Sequence, residues 1–171
     1  MSTADISEAL QKTGEAFVAD PGKAHAIGSP ATARLVEGLR FEVTGPNGEL
    51  AYTDMAPAMG GAASAPPPGW FLRGAIASCT ATVIAMRAAR TRVHLTTLDV
   101  SVESEADQRG MLGLGENVSA AFSTLRVRVR IGADDVAPDR LRALATWGDA
   151  HSPVACTMRE SPPASIEVEI V

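Results

Sequence analysis

Gly69-Trp-Phe-Leu-Arg-Gly-Ala-Ile-Ala-Ser-Cys-Thr-Ala-Thr-Val-Ile-Ala-Met86 is a nearly unbroken apolar stretch, entered through Pro66-Pro67-Pro68. Proline is tolerated at a first helical turn, where the amide it lacks would be unpaired, so a helix is expected to start near Pro68. It should run to about Arg90, with no charge between Arg73 and Arg87 and about half its length Ala, Gly, Ser or Thr. A membrane span needs about 20 apolar residues, and this run is broken by Arg73 and rich in small side chains, so it is not read as one. A helix apolar on all faces must then be covered by protein, which makes it the central helix of a core whose small residues admit a second helix close by.

Around this helix the chain reads as mixed. Residues 4 to 18 carry Ile6, Leu10, Phe17 and Val18 at helical spacing behind Ser2 and Thr3, and Asp20-Pro21-Gly22 ends the pattern. Thr32 to Val43 suggests strand, interrupted at Gly38. Gly45-Pro46-Asn47-Gly48 joins Arg40–Thr44 to Glu49–Thr53 as a hairpin, because Asn-Gly takes the positive backbone angles a tight turn needs. Leu95 to Glu105 and Thr124 to Ile131 read as strands. Between them Gly110-Met-Leu-Gly-Leu-Gly115 is a mobile loop, since no Lys-Ser/Thr follows it as in a phosphate cradle. Pro138 to Trp147 is helical, capped by Asp134, Asp135 or Asp139, with Leu141, Leu144 and Ala145 inward. Ile166-Glu-Val-Glu-Ile-Val171 alternates as a final strand.

Helix, hairpin, long helix, two strands, helix and strand give an α+β fold with antiparallel sheets rather than a doubly wound parallel one. At 171 residues one domain is expected. A sheet of this size offers too little cover for a helix apolar all round. That deficit predicts a homodimer in which two such helices pack between two sheets.

A net charge of −5 disfavours nucleic acid and anionic membranes as partners. Arg126, Arg128 and Arg130 alternate with apolar residues and read as the outward face of a strand. The first residues, Met-Ser-Thr-Ala-Asp-Ile-Ser-Glu, have neither the cationic start nor the apolar core of a secretory signal, so a cytoplasmic location is expected. Thiols are kept reduced there, which disfavours a structural disulfide.

The chain has two cysteines, Cys79 and Cys156. Brought together they make a peroxidatic and resolving pair; apart, each is a small hydrophobe. Attack on a peroxide needs thiolate, and Cys79 is expected about three turns into its helix, beyond the dipole's reach. Leu72, Ala75, Ile76, Thr82, Val83 and Met86 share its face, so it is inert unless a cation arrives from another segment. His25, His94 and His151 show no zinc-ligand spacing, and no metal or cofactor is expected. His151 beside Ser152 is an adjacency without triad geometry, and is read as a capping or surface group.

Ala33-Arg-Leu-Val-Glu-Gly-Leu-Arg-Phe-Glu-Val43, Asp54, Gly60-Gly61, Ala77-Ser-Cys-Thr80 and Ser152-Pro-Val-Ala-Cys156, in this order, resemble the family of osmotically inducible protein C and organic hydroperoxide resistance protein. The resemblance covers about residues 30 to 171, leaving 1–30 as an N-terminal helical extension and 31–171 as the family domain. It implies two intertwined chains with their sites at the interface, and thiol-dependent reduction of organic hydroperoxides. Cys79 would be peroxidatic, Cys156 resolving, and a dithiol the reductant. Arg40 would be the activating cation, with Arg34 the second choice. Gly69 stands where hydroperoxide-reducing members carry a glutamate that pairs with the arginine, which leaves Arg40 either held by Asp54 or Glu49 or swinging free. The alternative is a catalytically weak or inactive relative that binds a small apolar ligand at the interface, lined by Trp70, Phe71, Met55 and Met59.

Overall fold

The structure is a computed structural model and describes residues 2–171. Its chain divides into two compact units, Glu8–Ala75 and Ile76–Val171 with residues 2–7. Elements run in the order α1 (Thr3–Ala19), β1 (Thr32–Glu37), β2 (Arg40–Thr44), β3 (Leu50–Thr53), α2 (Pro68–Arg90), β4 (Leu95–Ala106), α3 (Gln108–Met111), β5 (Phe122–Ala133), α4 (Pro138–Ala150) and α5 (Pro153–Glu160), with short 3-10 turns at Pro21–Ala24 and Pro57–Met59. The α+β expectation holds, and both sheets are antiparallel.

At the start of α1, Ser2 Oγ accepts from the Asp5 amide at 3.2 Å while Asp5 Oδ2 accepts from the Ser2 amide at 2.7 Å. This reciprocal cap satisfies donors that a helix start otherwise leaves open.

In the unit Glu8–Ala75, β1, β2 and β3 form one sheet in sequence order. The interruption foreseen at Gly38 is a two-residue turn, Glu37 facing Arg40, with Gly38 at φ +54°. The β2–β3 hairpin is present with Thr44 opposite Leu50. Its turn is looser than Asn-Gly suggests. Gly48 takes φ +88° but Asn47 does not go positive, and the Gly45 amide reaches across to the Glu49 carbonyl. Glu49 ties the loop, accepting from the Asn47 amide at 2.8 Å and from Asn47 Nδ2 at 2.9 Å.

In the unit built on Ile76–Val171, β4 and β5 form a long ribbon. Val100 faces Val129 and Val102 faces Val127 on one side, while Asp99 faces Arg130 and Glu103 faces Arg126 on the other. Arg126, Arg128 and Arg130 are the exposed face expected, paired with Glu103 and Asp99. Ala88, Val93 and Leu144 form the core, with Leu95, Ile131, Ala133, Val136 and Leu141 packed against it.

Helix α2 has the bounds read from the sequence. It is the one helix among the described residues long and apolar enough to cross a membrane. Its cover is narrower than expected: Ile76, Thr80, Ile84 and Ala88, a four-residue repeat, with Ala89 are its buried residues. Within one chain it therefore presents a single stripe to the core, and Trp70 and Met86 remain exposed.

Three readings are corrected. Helix α4 is not capped by an aspartate. Ala137 is the N-cap with Pro138 after it, Asp135 sits in the preceding turn at φ +56°, and Asp139 pairs with Arg142. The final segment, Ile166–Val171, is extended and exposed but joins no sheet, since alternation makes a strand only where a partner edge receives its hydrogen bonds. The glycine loop begins inside the short helix α3, whose N-cap Asp107 accepts from the Arg109 amide.

Candidate functional site

Cys156 lies in a helix the sequence reading missed. Ser152 is the N-cap of α5, its Oγ accepting from the Ala155 amide, and Pro153 fills the first helical position. This serine-proline start is a recognisable signal, overlooked because the helix is short. It places Cys156 at the end of the first turn, where helix amides still favour negative charge.

The surroundings of the sulfur are specific. Arg159 Nη2 lies 3.5 Å from Cys156 Sγ and also donates to the Asp149 carbonyl at 2.7 Å, while Nη1 meets Asp149 Oδ2 at 3.1 Å. The thiol itself donates to the Ala150 carbonyl at 3.2 Å. The pKa of Arg159 is raised, first by its bond to Cys156 and further by the charge of Asp149. His151 is a surface cap, as expected: its amide and Nδ1 both meet the Trp147 carbonyl, and its ring stacks on Trp147 at 3.9 Å.

Cys79 sits on α2 beside the buried stripe, half-buried, with a free thiol like that of Cys156. Thr80 next to it is fully buried, and its Oγ1 has no hydrogen-bond partner. No sequence signal marks such an orphan, because its cause is the packing around it.

Both cysteines belong to one compact unit, and α4, which precedes the helix of Cys156, packs closely on the helix of Cys79. A Cβ on Gly148 would overlap Ile84 Cγ1 and come within 3.1 Å of the Ile84 Cα and N. Glycine here lets α4 rest almost on the α2 backbone, five residues after Cys79. Helix α5 follows α4 directly through His151 and Ser152.

Arg40 belongs to the unit Glu8–Ala75, where a different network holds it. Asp54, nearly fully buried, accepts from the amides of Met55, Ala62 and Ser64 and from Ser64 Oγ at 2.7 Å. Gly60 at φ +87° and Gly61 wrap the chain around it, and a Cβ on Gly61 would stand 2.7 Å from Asp54 Oδ1. These donors, with Ser64 foremost, lower the pKa of Asp54 to about 2. Arg40 Nη1 then donates to Ser64 Oγ at 2.7 Å, and its guanidinium lies 4.6 Å from the Tyr52 ring centre. Of the two acids expected to hold Arg40, Asp54 does so through Ser64, whereas Glu49 is spent on its own loop. Arg34 is exposed on β1 opposite Glu42.

Arg40, Asp54, Gly61 and Ser64 line a hollow of about 430 Å³. Phe71 lines another of about 420 Å³ in the same unit, and Trp70 meets Phe71 edge-to-face at 5.3 Å.

A family model described as OsmC-like protein matches residues 61–167. A search of curated proteins finds no match. Solved structures share the fold at low identity. An OsmC-like protein from Mycoplasma pneumoniae is similar at TM-score 0.67 and 12% identity, over 79% of this chain and 89% of its own. An organic hydroperoxide resistance protein OsmC from Legionella pneumophila is similar at 0.59 and 18%, over 79% and 91%. The organic hydroperoxide resistance protein OhrB of Bacillus subtilis is similar at 0.53 and 17%, over 78% and 91%.

Proposed function

The chain belongs to the OsmC-like family, and from that premise we propose that it is a thiol-dependent peroxidase reducing organic hydroperoxides through Cys79 and Cys156. The observation that carries the reading is the state of the thiols: both are free and half-buried in one compact unit, and one has an arginine pinned beside its sulfur. The names of the Legionella and Bacillus neighbours point to the same substrate class.

The chemistry proceeds in three steps. The Cys79 thiolate attacks the distal oxygen of the peroxide; the O–O bond breaks, the alkoxide takes a proton and leaves as alcohol, and Cys79 becomes a sulfenic acid. The Cys156 thiolate then attacks that sulfur, forming the disulfide and expelling hydroxide, which leaves as water. A dithiol reductant restores both thiols and becomes a disulfide itself. Arg40 enters as the cation for the first step, with Asp54 acting through Ser64 in place of the glutamate that position 69 lacks.

We further propose a homodimer in the cytoplasm. One stripe of α2 is covered by its own chain, and a second copy would cover apolar surface that α2 leaves exposed, Met86 included. The alternative is a relative that binds an apolar ligand; of its expected lining only Phe71 borders the hollow, beside Val43 and Leu50 but also Asn47 and Glu49.

Consumption of cumene hydroperoxide with dithiothreitol as reductant tests the function. Turnover that disappears in Cys79→Ser supports the peroxidase. A wild type no faster than buffer removes it and leaves the ligand-binding relative.

A further inference from the structure

We propose that the C-terminal end of α2 and the side of α4 beside it form a binding site for a small organic carboxylate, its charge held by Arg87 and Arg140 and its apolar body resting on Trp147 and Leu144. The hollow there measures about 270 Å³ and is lined by Arg87, Thr91, Arg140, Ala143, Leu144 and Trp147, with no acidic side chain among them. Acids outnumber bases in this chain, 20 to 15. Even so, among the described residues neither Arg87 nor Arg140 joins an ion pair. Arg90 and Arg92, close by in sequence, join none either, so positive charge collects at this end of the helix.

Both guanidiniums are held by something other than a carboxylate. Arg87, three residues after Ile84, shares the side of α2 on which α4 rests and lies 4.7 Å from the centre of the Trp147 ring, which is itself stacked with His151. Arg140 Nη2 donates to the Thr91 carbonyl at 2.8 Å, which leaves its other N–H groups for a ligand. Arginines fixed by stacking and by a carbonyl bond lose little freedom on taking up an oxyanion, and their forked donors match a carboxylate. The open carbonyls of a helix C-terminus would repel such an anion. Here they are occupied: Thr91 Oγ1 donates to the carbonyls of Arg87 and Ala88, and the amides of Val93 and Arg92 donate to those of Ala88 and Ala89. Asp139, next to Arg140 in sequence, is engaged by Arg142. The remaining walls, Ala143, Leu144 and Trp147, offer apolar contact, which favours an acid with a compact apolar body over a bare inorganic anion.

The test titrates the full chain, labelled with nitrogen-15, with sodium benzoate, and follows by NMR the Trp147 indole Nε1–H, assigned by its persistence in Trp70→Phe. A saturable shift is expected with a Kd of about 1 mM, the range open to a ligand of this size. Arg87→Gln and Arg140→Gln should each weaken binding about tenfold, while Arg142→Gln, which removes the partner of Asp139, should leave it unchanged. Benzyl alcohol, which keeps the body without the charge, and inorganic phosphate, which keeps the charge without the body, should both bind about tenfold more weakly than benzoate. No shift of the indole up to about 20 mM benzoate, a shift that survives both arginine variants, or phosphate binding as tight as that of benzoate would overturn the proposal. Should Arg140→Gln unfold for want of its bond to Thr91, Ala143→Glu decides. Ala143 is exposed, and the carboxylate placed there would occupy the anion position from within, so benzoate binding should be lost in Ala143→Glu and kept in Ala143→Gln. Equal binding in the two would remove the site. None of these readouts involves Cys79 or Cys156, so the result stands whether or not the chain consumes peroxide.

Discussion

Gly148→Ala tests the close contact between α4 and α2, the helix that carries Cys79. The added Cβ would overlap Ile84 Cγ1 and press to 3.1 Å on the Ile84 Cα and N. Ile84 is fully buried, so its side chain has no free volume to enter, and the α2 backbone must move by a few tenths of an ångström. Overpacking of this kind costs about 3 kcal/mol at its upper range. Replacing a glycine in the last helical turn returns at most about 1 kcal/mol in helix propensity. The net is a loss of about 2 kcal/mol, or a fall in Tm of roughly 4–8 °C for a chain of this size. Gly14→Ala, where nothing stands within 4 Å, is the opposite control, and a gain of about 0.5–1 kcal/mol is expected. Adding Gly148→Ala to Ile84→Ala should cost much less than Gly148→Ala alone, because the overlapping Cγ1 is gone. Urea and thermal unfolding read all four variants against the wild type. A Gly148→Ala variant as stable as wild type, or fully additive with Ile84→Ala, would refute the close helix approach.

Acid stability should carry the signature of Asp54. Its pKa is depressed to about 2, so its contribution is full above the unfolded value near 4 and is lost as pH falls through 2. Asp54→Asn should flatten the urea midpoint between pH 4 and 2, partly rather than wholly, because Asp5, Glu49 and Asp107 are also depressed. Light scattering should give twice the chain mass of 17.7 kDa, and Ala85→Arg on the exposed side of α2 should return it to one. Ser152→Ala removes the α5 cap and should cost about 1 kcal/mol by urea unfolding.

The elements that depend on local pattern were legible in the sequence. Prolines before Gly69 and the uncharged run to Arg87 fix the bounds of α2, and alternation finds both strands of the β4–β5 ribbon. What depends on partners was not. Ile166, Val168 and Ile170 alternate as a strand does, yet whether they form one is decided by an edge elsewhere. The cap of α4 was misassigned because three aspartates near Pro138 all satisfy the composition of a cap, and the backbone at Ala137 decides. Cys79, Cys156 and Arg40 were named only as what the resemblance implies, and the tie between Arg40 and Asp54, which runs through Ser64, was suspected with them. Ser64 itself could not be named, since its role exists only where the Gly60–Gly61 turn folds it onto Asp54. Arg159 was within reach of inference: three residues after Cys156, it shares its face once Ser152-Pro153 is read as a helix start.

The central claim is that the two thiols act as a pair on an organic hydroperoxide. Stopped-flow oxidation of the fully reduced protein by cumene hydroperoxide, with products identified by mass spectrometry, tests it most directly. The account predicts rapid loss of the Cys79 thiol, a Cys79–Cys156 disulfide in the wild type and a trapped sulfenic acid in Cys156→Ser. Oxidation no faster than that of a free thiol, or a Cys79 sulfenic acid that persists in the wild type, would contradict it.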